Sequence, residues 1–467
     1  MRNSTSKAYA PAPPPPPILQ PLNSVSSRSV SSAATFDQQT CPHSDTTLIS
    51  WSSLFGTGSL QGRQLDLWSG QAVLLDSSPS GILGSLTIHA GARLVFGPAA
   101  NLALHSQLIT VRGLLAIGSE GCPRGRAAPA SITLYCCTSH SAFGSKAIVV
   151  EGGGRLELHG SLGGAPSWTR LGQTIEPYSD IVHVSEALTA GAWQPGDQII
   201  LAPTDWYGED HVDETEVRTI SARLSTTSFR LTTSVSHRHY SGRPNDLDSW
   251  VKGEVGLLTR PIVLQGDASS SSDLNGGQMI LIRGSVSHVE GVEITRMGQS
   301  GVLGRYPWHW HLAGSVTGSY LRSSALHHNF QRCVVVHRTH NALIEENVCA
   351  DTRGHMYVLE DGAEVNNTFA KNLGILARVP PSGRSLVPSE DTPALFWITH
   401  PWNRFYGNAI AAASHGYWYA LPFNPLLNGR GSVELSADDQ LELNQIRYAG
   451  AGGGGGGRRV AEWASGR

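Results

Sequence analysis

GSYLRSSALHHNFQRCVVVHRTH (residues 318–340) and NALIEENVCADTRGHMYVLEDGA (341–363) decide the fold, because the second segment repeats the pattern of the first. With Cys333 placed above His355 the offset is 22 residues, one coil of a solenoid. A related pattern precedes it in VEGVEITRMGQSGVLGRYPWHWHLAG (289–314), and another follows in FWITHPWNRFYGNAIAAASHGYWYALP (396–422). Coils of this length bury a continuous apolar, Asn-rich interior and present one row of side chains as a long groove. The reading is an all-β chain whose central part is a right-handed parallel β-helix over residues 278–428. Asn329, Asn347, Asn367 and Asn408 fit turn or ladder positions in it.

Upstream, SLTIHAGARLVFG (85–97), LITVRGLLAIGSEG (108–121) and AIVVEGGGRLELHGSLGG (147–164) alternate short apolar strands with glycine turns. They predict stacked β coils or a small sandwich over residues 46–175. Residues 176–277 continue as a β linker through WQPGDQIILAPTDW and SFRLTTSV. The Pro/Ser-rich residues 1–45 and the Gly-rich residues 429–467 are too poor in apolar groups to fold, and are expected to be disordered.

Composition narrows the function classes. The chain has 467 residues, 52 glycines, only 15% charged residues and a net charge of −3, so it lacks the basic surplus of a nucleic-acid binder. No run of about 18 apolar residues suggests a membrane span. The N-terminus has no apolar signal core, which implies atypical export or a missing true start. Six cysteines are too few for a disulfide scaffold. One or two bridges are expected, with the adjacent Cys136 and Cys137 not joined to each other. Walker, GxSxG and HExxH motifs are absent from the sequence.

Several segments, in order, resemble one family. MGQSGVLGRYPWHWHLAG (297–314), ALHHNFQRCVVVHRTHNALIEENV (325–348), GHMYVLEDGAEVNNTF (354–369) and FWITHPWNRFYGNAIAAASHGYWY (396–419) are similar to the cell-surface hyaluronidase and cell-migration-inducing hyaluronan-binding protein family, parts of which fibrocystin-like proteins share. Residues 46–175 resemble that family's eight-glycine domain, and EVGLLTRPIVLQG (254–266) resembles its lead-in strand. The resemblance implies an extracellular or cell-surface protein with an eight-glycine domain ahead of the β-helix. For some members it also implies calcium-associated cleavage of hyaluronan. The family usually carries an Asp shortly after the paired-histidine strand, where this chain has Ser315.

The residue types agree with polysaccharide chemistry. His309 and His311 lie two apart on a predicted strand and so share a face, with Trp308 and Trp310 on the other. Paired imidazoles bind metals or share acid–base work. With His337, His355, Glu360 and Asp361 they form the candidate catalytic set, although Asp361 before Gly362 also reads as a turn cap. Arg305, His328 and Arg332 are candidates to clamp a uronate carboxylate, and Glu290, Glu293 and Glu345 are alternative structural partners for these cations. Trp402 and Trp418 are candidate sugar platforms. Asp351 is the candidate ligand for Ca²⁺, and Asn366 opens a glycosylation sequon. One expectation ties these together: His311, Arg332 and His355 should line up as an outward stripe on successive coils. The function expected is a hyaluronidase-like protein acting on a glycosaminoglycan or other uronate-containing polymer. The alternative is a non-catalytic glycan-binding matrix or surface protein.

Overall fold

The computed structural model describes residues 36–140, 142–189, 191–204, 213–242 and 251–421. The predicted tail and most of the predicted leader lie outside these residues. Residues 36–45 of the leader are folded: Cys41 is bonded to Cys122, and the Gln38 amide donates to Glu157 at 2.7 Å.

From Ser85 to Ala411 each coil contributes one short strand to each of three parallel sheets, in the chain order seen in Trp308–Ser315, Tyr320–Arg322 and Ala325–His327. Two sheets have ten strands and the third has eight. They are called here the site face, the second face and the third face, in that chain order. Apolar residues alternate inward and stack in register, as in the column Leu65, Leu86, Ile109, Ile148. All four are buried in one core that runs the length of the solenoid. The ladders pass from the glycine-rich coils into the later ones without a break, since Ala147–Val150 pairs with Gln278–Leu281 and Arg155–His159 with Val286–Glu290. Stacked coils, and not a sandwich, therefore account for the 46–175 segment up to Arg155–His159, while Trp168–Arg170 pairs antiparallel with Glu254–Leu257 outside the solenoid.

Between these coils, residues of the predicted linker together with Trp168–Arg170 build a six-stranded antiparallel sheet with its own core around Trp193, Ile199, Phe229 and Val255. Ile200 and Leu258 from this insertion pack with Val348, Leu373 and Ile375 on the outer side of the third face. One wall of the solenoid is thereby covered. None of the described helices is long and apolar enough to cross a membrane.

The register corrects the sequence alignment. Val334 pairs with Tyr357, so the offset is 23 residues and Cys333 lies above Met356, whose carbonyl accepts its N–H at 3.1 Å. Cys333 is bonded to Cys349, and Cys136 and Cys137 are bonded to each other, contrary to expectation. The Cys136–Cys137 peptide is cis, which leaves their Cα atoms 3.1 Å apart.

Two turns are held by asparagine ladders. The Asn347 side chain donates to Asn372 at 3.0 Å, and Asn372 donates to Asn408 at 3.1 Å. Asn367 similarly donates to Asn403 at 3.0 Å. Each amide also satisfies backbone groups of the neighbouring coil, for instance Asn372 Nδ2 donating to Ile344 O at 2.9 Å. These buried turns otherwise leave their peptide groups without partners. Asn329 performs the same service by accepting from Met297 N at 2.9 Å. Replacing Asn372 by Ala is expected to cost roughly 2–4 kcal/mol, because several buried groups lose partners at once; a chemical-denaturation midpoint measures it.

A buried ionic knot joins the early and late coils. Glu157 is fully buried and bonded to His159 Nε2 at 2.8 Å and His288 Nδ1 at 2.9 Å. Burial opposes its charge, but the histidine hydrogen bonds outweigh burial and hold the carboxyl well below the usual range. Burial likewise opposes charge on His159, yet bonds to Glu157 and Glu290 raise it. The stabilisation from Glu157 is present above the unfolded carboxylate value of about 4.3 and is lost as pH falls from there. That from His159 is complete below about 6.5 and is lost as pH rises through its raised value. The melting temperature of the native protein should therefore fall on both sides of a mildly acidic window. Glu157→Gln should flatten the acid limb and cost about 3–5 kcal/mol; melting curves across pH test both.

Candidate functional site

The site face carries the candidate chemistry because of how the period-2 strand meets the coil register. In Trp308–Ser315, Trp308 and Trp310 point inward and are fully buried, so His309 and His311 point outward. The next strand, Val334–His340, places His337 directly beside His311. Glu360 follows on the third coil, its N–H bonded to Val336 O at 3.0 Å. The outward column is therefore His311, His337, Glu360.

Distances make this a connected group. His311 Nδ1 and His337 Nδ1 are 3.1 Å apart. His337 Nδ1 is 3.4 Å from Glu360 Oε2, and its Nε2 is 2.9 Å from Asp361 Oδ2. His309 Nδ1 faces Gly304 O at 3.0 Å, which fixes the proton there and leaves Nε2 bare, 3.8 Å from Glu360 Oε2. Glu360 is held from behind by the Tyr306 hydroxyl at 2.6 Å and by Arg332 Nη1 at 2.9 Å. Phe143 closes one side, edge-on to His311. Arg305 reaches across to Ala142 O at 3.3 Å.

Electrostatics separate the three imidazoles. Burial, reinforced by His311 and His337, pushes His309 well below its ordinary value. Burial and the neighbouring His337 push His311 down to about 4. Burial also works against charge on His337, but the Asp361 hydrogen bond and the Glu360 charge raise it to about 9. Asp361 is correspondingly lowered: burial opposes its charge, and the bonds to His337 and Arg338 prevail.

The expected stripe of His311, Arg332 and His355 is not formed. Arg332 and His355 both belong to the outer side of this face, but the segment carrying Pro388–Asp391 lies over them. Arg332 is bound to Glu390 at 2.6 Å as well as to Glu360. His355 accepts from Ala394 N at 2.9 Å, meets Ser389 at 3.1 Å and stacks on Trp397 at 4.2 Å. Both imidazole nitrogens of His355 are thus committed to holding the cover in place.

His328 and Asp351 fall on a different wall, because their strands belong to the third face. Asp351 is ion-paired to Arg378 and lies 3.7 Å from His328. A carboxylate already ion-paired with the Arg378 guanidinium does not fit a calcium ligand. Of the alternative partners, Glu290 binds Arg322 at 2.6 Å and Glu293 lies 3.2 Å from His327. Asp361 is not the turn cap; Glu364 is, accepting backbone N–H groups from Arg338, Asp361, Gly362 and Ala363. Ser315 is exposed and bonded to Asn341 at 2.8 Å, apart from the histidine group. Trp402 is 41% exposed, and Trp418 is half-buried between Trp397 and His415. Asn366 is exposed at a turn, its N–H bonded to Trp402 O at 2.7 Å.

Sequence reasoning missed Tyr306, Arg338, Glu364 and Glu390. Tyr306 lies two residues before the histidine strand, the same offset as Arg332 and His355 from theirs, so a correct register reveals it. Glu390 carries no such signal, because it reaches the site only through the cover.

Comparison with known proteins agrees with this architecture. Residues 57–172 match the G8 domain and residues 274–449 the CEMIP beta-helix. A G8 domain-containing protein of Dictyostelium discoideum is 30% identical over 449 residues, covering 89% of this chain and 38% of that protein. Fibrocystin-L of Homo sapiens is 30% identical over 426 residues, covering 80% of this chain and 10% of its own length. The chain thus spans well under half of either relative. A tailspike of a Pseudomonas phage is similar at 9% identity and a TM-score of 0.19, covering 68% of this chain and 47% of that one. With a G8 domain and a CEMIP beta-helix joined in one solenoid, the chain belongs to the family of CEMIP, G8-domain and fibrocystin-like proteins.

Proposed function

We propose that the protein is an extracellular polysaccharide-cleaving member of this family, and that the reaction takes place at the group formed by His309, His311, His337, Glu360 and Asp361. The observation that carries the reading is the convergence of three imidazoles and a carboxylate on the outer side of a parallel sheet, with His311 and His337 only part-buried. Such a face presents a linear groove to a linear polymer. Cleavage of a glycosidic bond needs a proton donor and a base or nucleophile, and these groups supply both. In this reading Arg305 and the exposed Trp402 are the residues assigned to the charged and apolar faces of a uronate-containing chain. The disulfides Cys41–Cys122 and Cys333–Cys349 and the exposed sequon at Asn366 support an oxidising, exported setting.

Chain shortening of hyaluronan, pectin and other uronate polymers, followed by size-exclusion chromatography, tests the reading. Activity on one of them is expected, with Glu360→Gln reducing the rate by roughly 10²–10⁴-fold, the scale of a lost acid–base group. Trp402→Ala should raise KM with little change in kcat. Binding on a glycan array without any shortening would instead favour a non-catalytic glycan-binding protein, the reading to which the Ser315 departure points.

A further inference from the structure

We propose that His309, His311 and His337 form a binding site for a divalent transition-metal ion of the zinc class. The proposal stands on coordination geometry and does not depend on polysaccharide cleavage. One ring nitrogen from each histidine lies within 4.8 Å of the corresponding nitrogen of the other two. Ligands bound to one tetrahedral ion at about 2.0–2.1 Å are separated by little more than 3 Å, close to the 3.1 Å between His311 Nδ1 and His337 Nδ1.

The tautomers are set from outside the group, as metal-binding histidines require. His309 gives its Nδ1 proton to Gly304 O, and His337 gives its Nε2 proton to Asp361. Metal-ligating histidines almost always make such an outer bond to a carbonyl or carboxylate, which turns the other nitrogen toward the ion. His309 Nε2 is the decisive atom. It is buried, has no hydrogen-bond partner among the described residues, and lies 3.8 Å from Glu360 Oε2, with the His311 and His337 ring centres 4.8 and 5.8 Å from its own. An imidazole nitrogen left so in a protein interior costs free energy unless something binds it.

The donor set also chooses the ion. Three imidazoles suit Zn²⁺, Cu²⁺, Ni²⁺ or Co²⁺, whereas Ca²⁺ takes six to eight oxygens. Glu360 Oε2, 3.4 Å from His337 Nδ1, stands at the edge of the site where a fourth ligand or a bound water would sit. An ion there would act as a Lewis acid beside that carboxylate. The other such group among the described residues, Cys41, His43 and Cys122, offers no comparable site, because its two sulfurs are bonded to each other.

The test uses the folded chain, stripped with a chelator and then titrated with Zn²⁺ by calorimetry and with Co²⁺ by visible absorption. One ion per chain and a cobalt ligand-field band are expected, with no displacement by millimolar Ca²⁺. His311→Ala, at a part-exposed position, should abolish binding while circular dichroism stays native. Asp361→Asn should weaken it roughly 10–100-fold through loss of the outer bond. His328→Ala, on the third face, should leave it unchanged. Absence of saturable binding by Zn²⁺, Co²⁺ and Cu²⁺ would overturn the proposal, as would binding that survives intact in folded His311→Ala. Neither readout involves polysaccharide, so failure here is separable from failure to cleave.

Discussion

In-register parallel stacking is the constraint on which everything else rests. A residue in a parallel β-helix has its counterparts on the adjacent coils about 4.8 Å above and below, and it cannot move away from them without slipping a whole strand. Side chains on the outside are thereby compelled to form columns whatever their chemistry. On the site face this compulsion puts His311 against His337 and His337 against Glu360. Two imidazoles and a carboxylate so arranged must share protons or an ion, since two bare nitrogens 3.1 Å apart repel. The same rule on the second face builds the Glu157, His288 and Tyr320 stack, where His288 lies over Tyr320 at 5.0 Å. Columns in this fold are thus the unit of both stability and chemistry.

What remains accessible is decided by two covers. The antiparallel insertion takes the outer side of the third face, so the polar residues there, His327, Asp351 and Arg378, are engaged in side-chain pairs along a covered wall. The segment around Pro388–Asp391 takes one margin of the site face. Its Glu390 is fully buried and neutralises Arg332, which in turn fixes Glu360. Arg332 is therefore a buried positioning residue held between two carboxylates. Breaking such a buried pair leaves an uncompensated charge, which makes the cover and the site one electrostatic unit.

How much of this was legible follows from the range of each signal. Local period-2 alternation put His309 and His311 on one side and the tryptophans on the other, and the internal repeat revealed the solenoid. Cys333 over His355 gives a coil offset one residue short; the apolar triplets Val334–Val336 and Tyr357–Leu359 fix it at 23. The stripe fails for a different reason: Arg332 and His355 share a position two residues before their strands, whereas His311 lies five residues beyond that position and pairs with His337. The wall on which His328 and Asp351 fall depends on counting turns as well as strands. Glu364 capping its own turn and Glu390 arriving on a cover are long-range or irregular contacts with no periodic trace in the chain. Asn372 and Asn403 complete the ladders of Asn347, Asn408 and Asn367 at separations of 25 and 36 residues, which no single coil offset predicts.

His309 shows most directly that packing alone does not account for the site. Its register partners along the outer column are Ile280, Val335, Val358 and Trp397, so four of five positions are apolar. Tyr306 and Leu386 close over Val335 and Val358 to make a small dry cluster. A valine at position 309 would continue that cluster and bury no polar atom. The imidazole instead brings a nitrogen without a hydrogen-bond partner into the interior, a penalty of about 1–3 kcal/mol by comparison with other buried orphans. Its other nitrogen is anchored to a backbone carbonyl, which prevents the ring from turning to relieve the cost. Where a sequence departs from the residue its packing favours and fixes the departure in place, the explanation belongs to what the group binds and not to the stability of the fold.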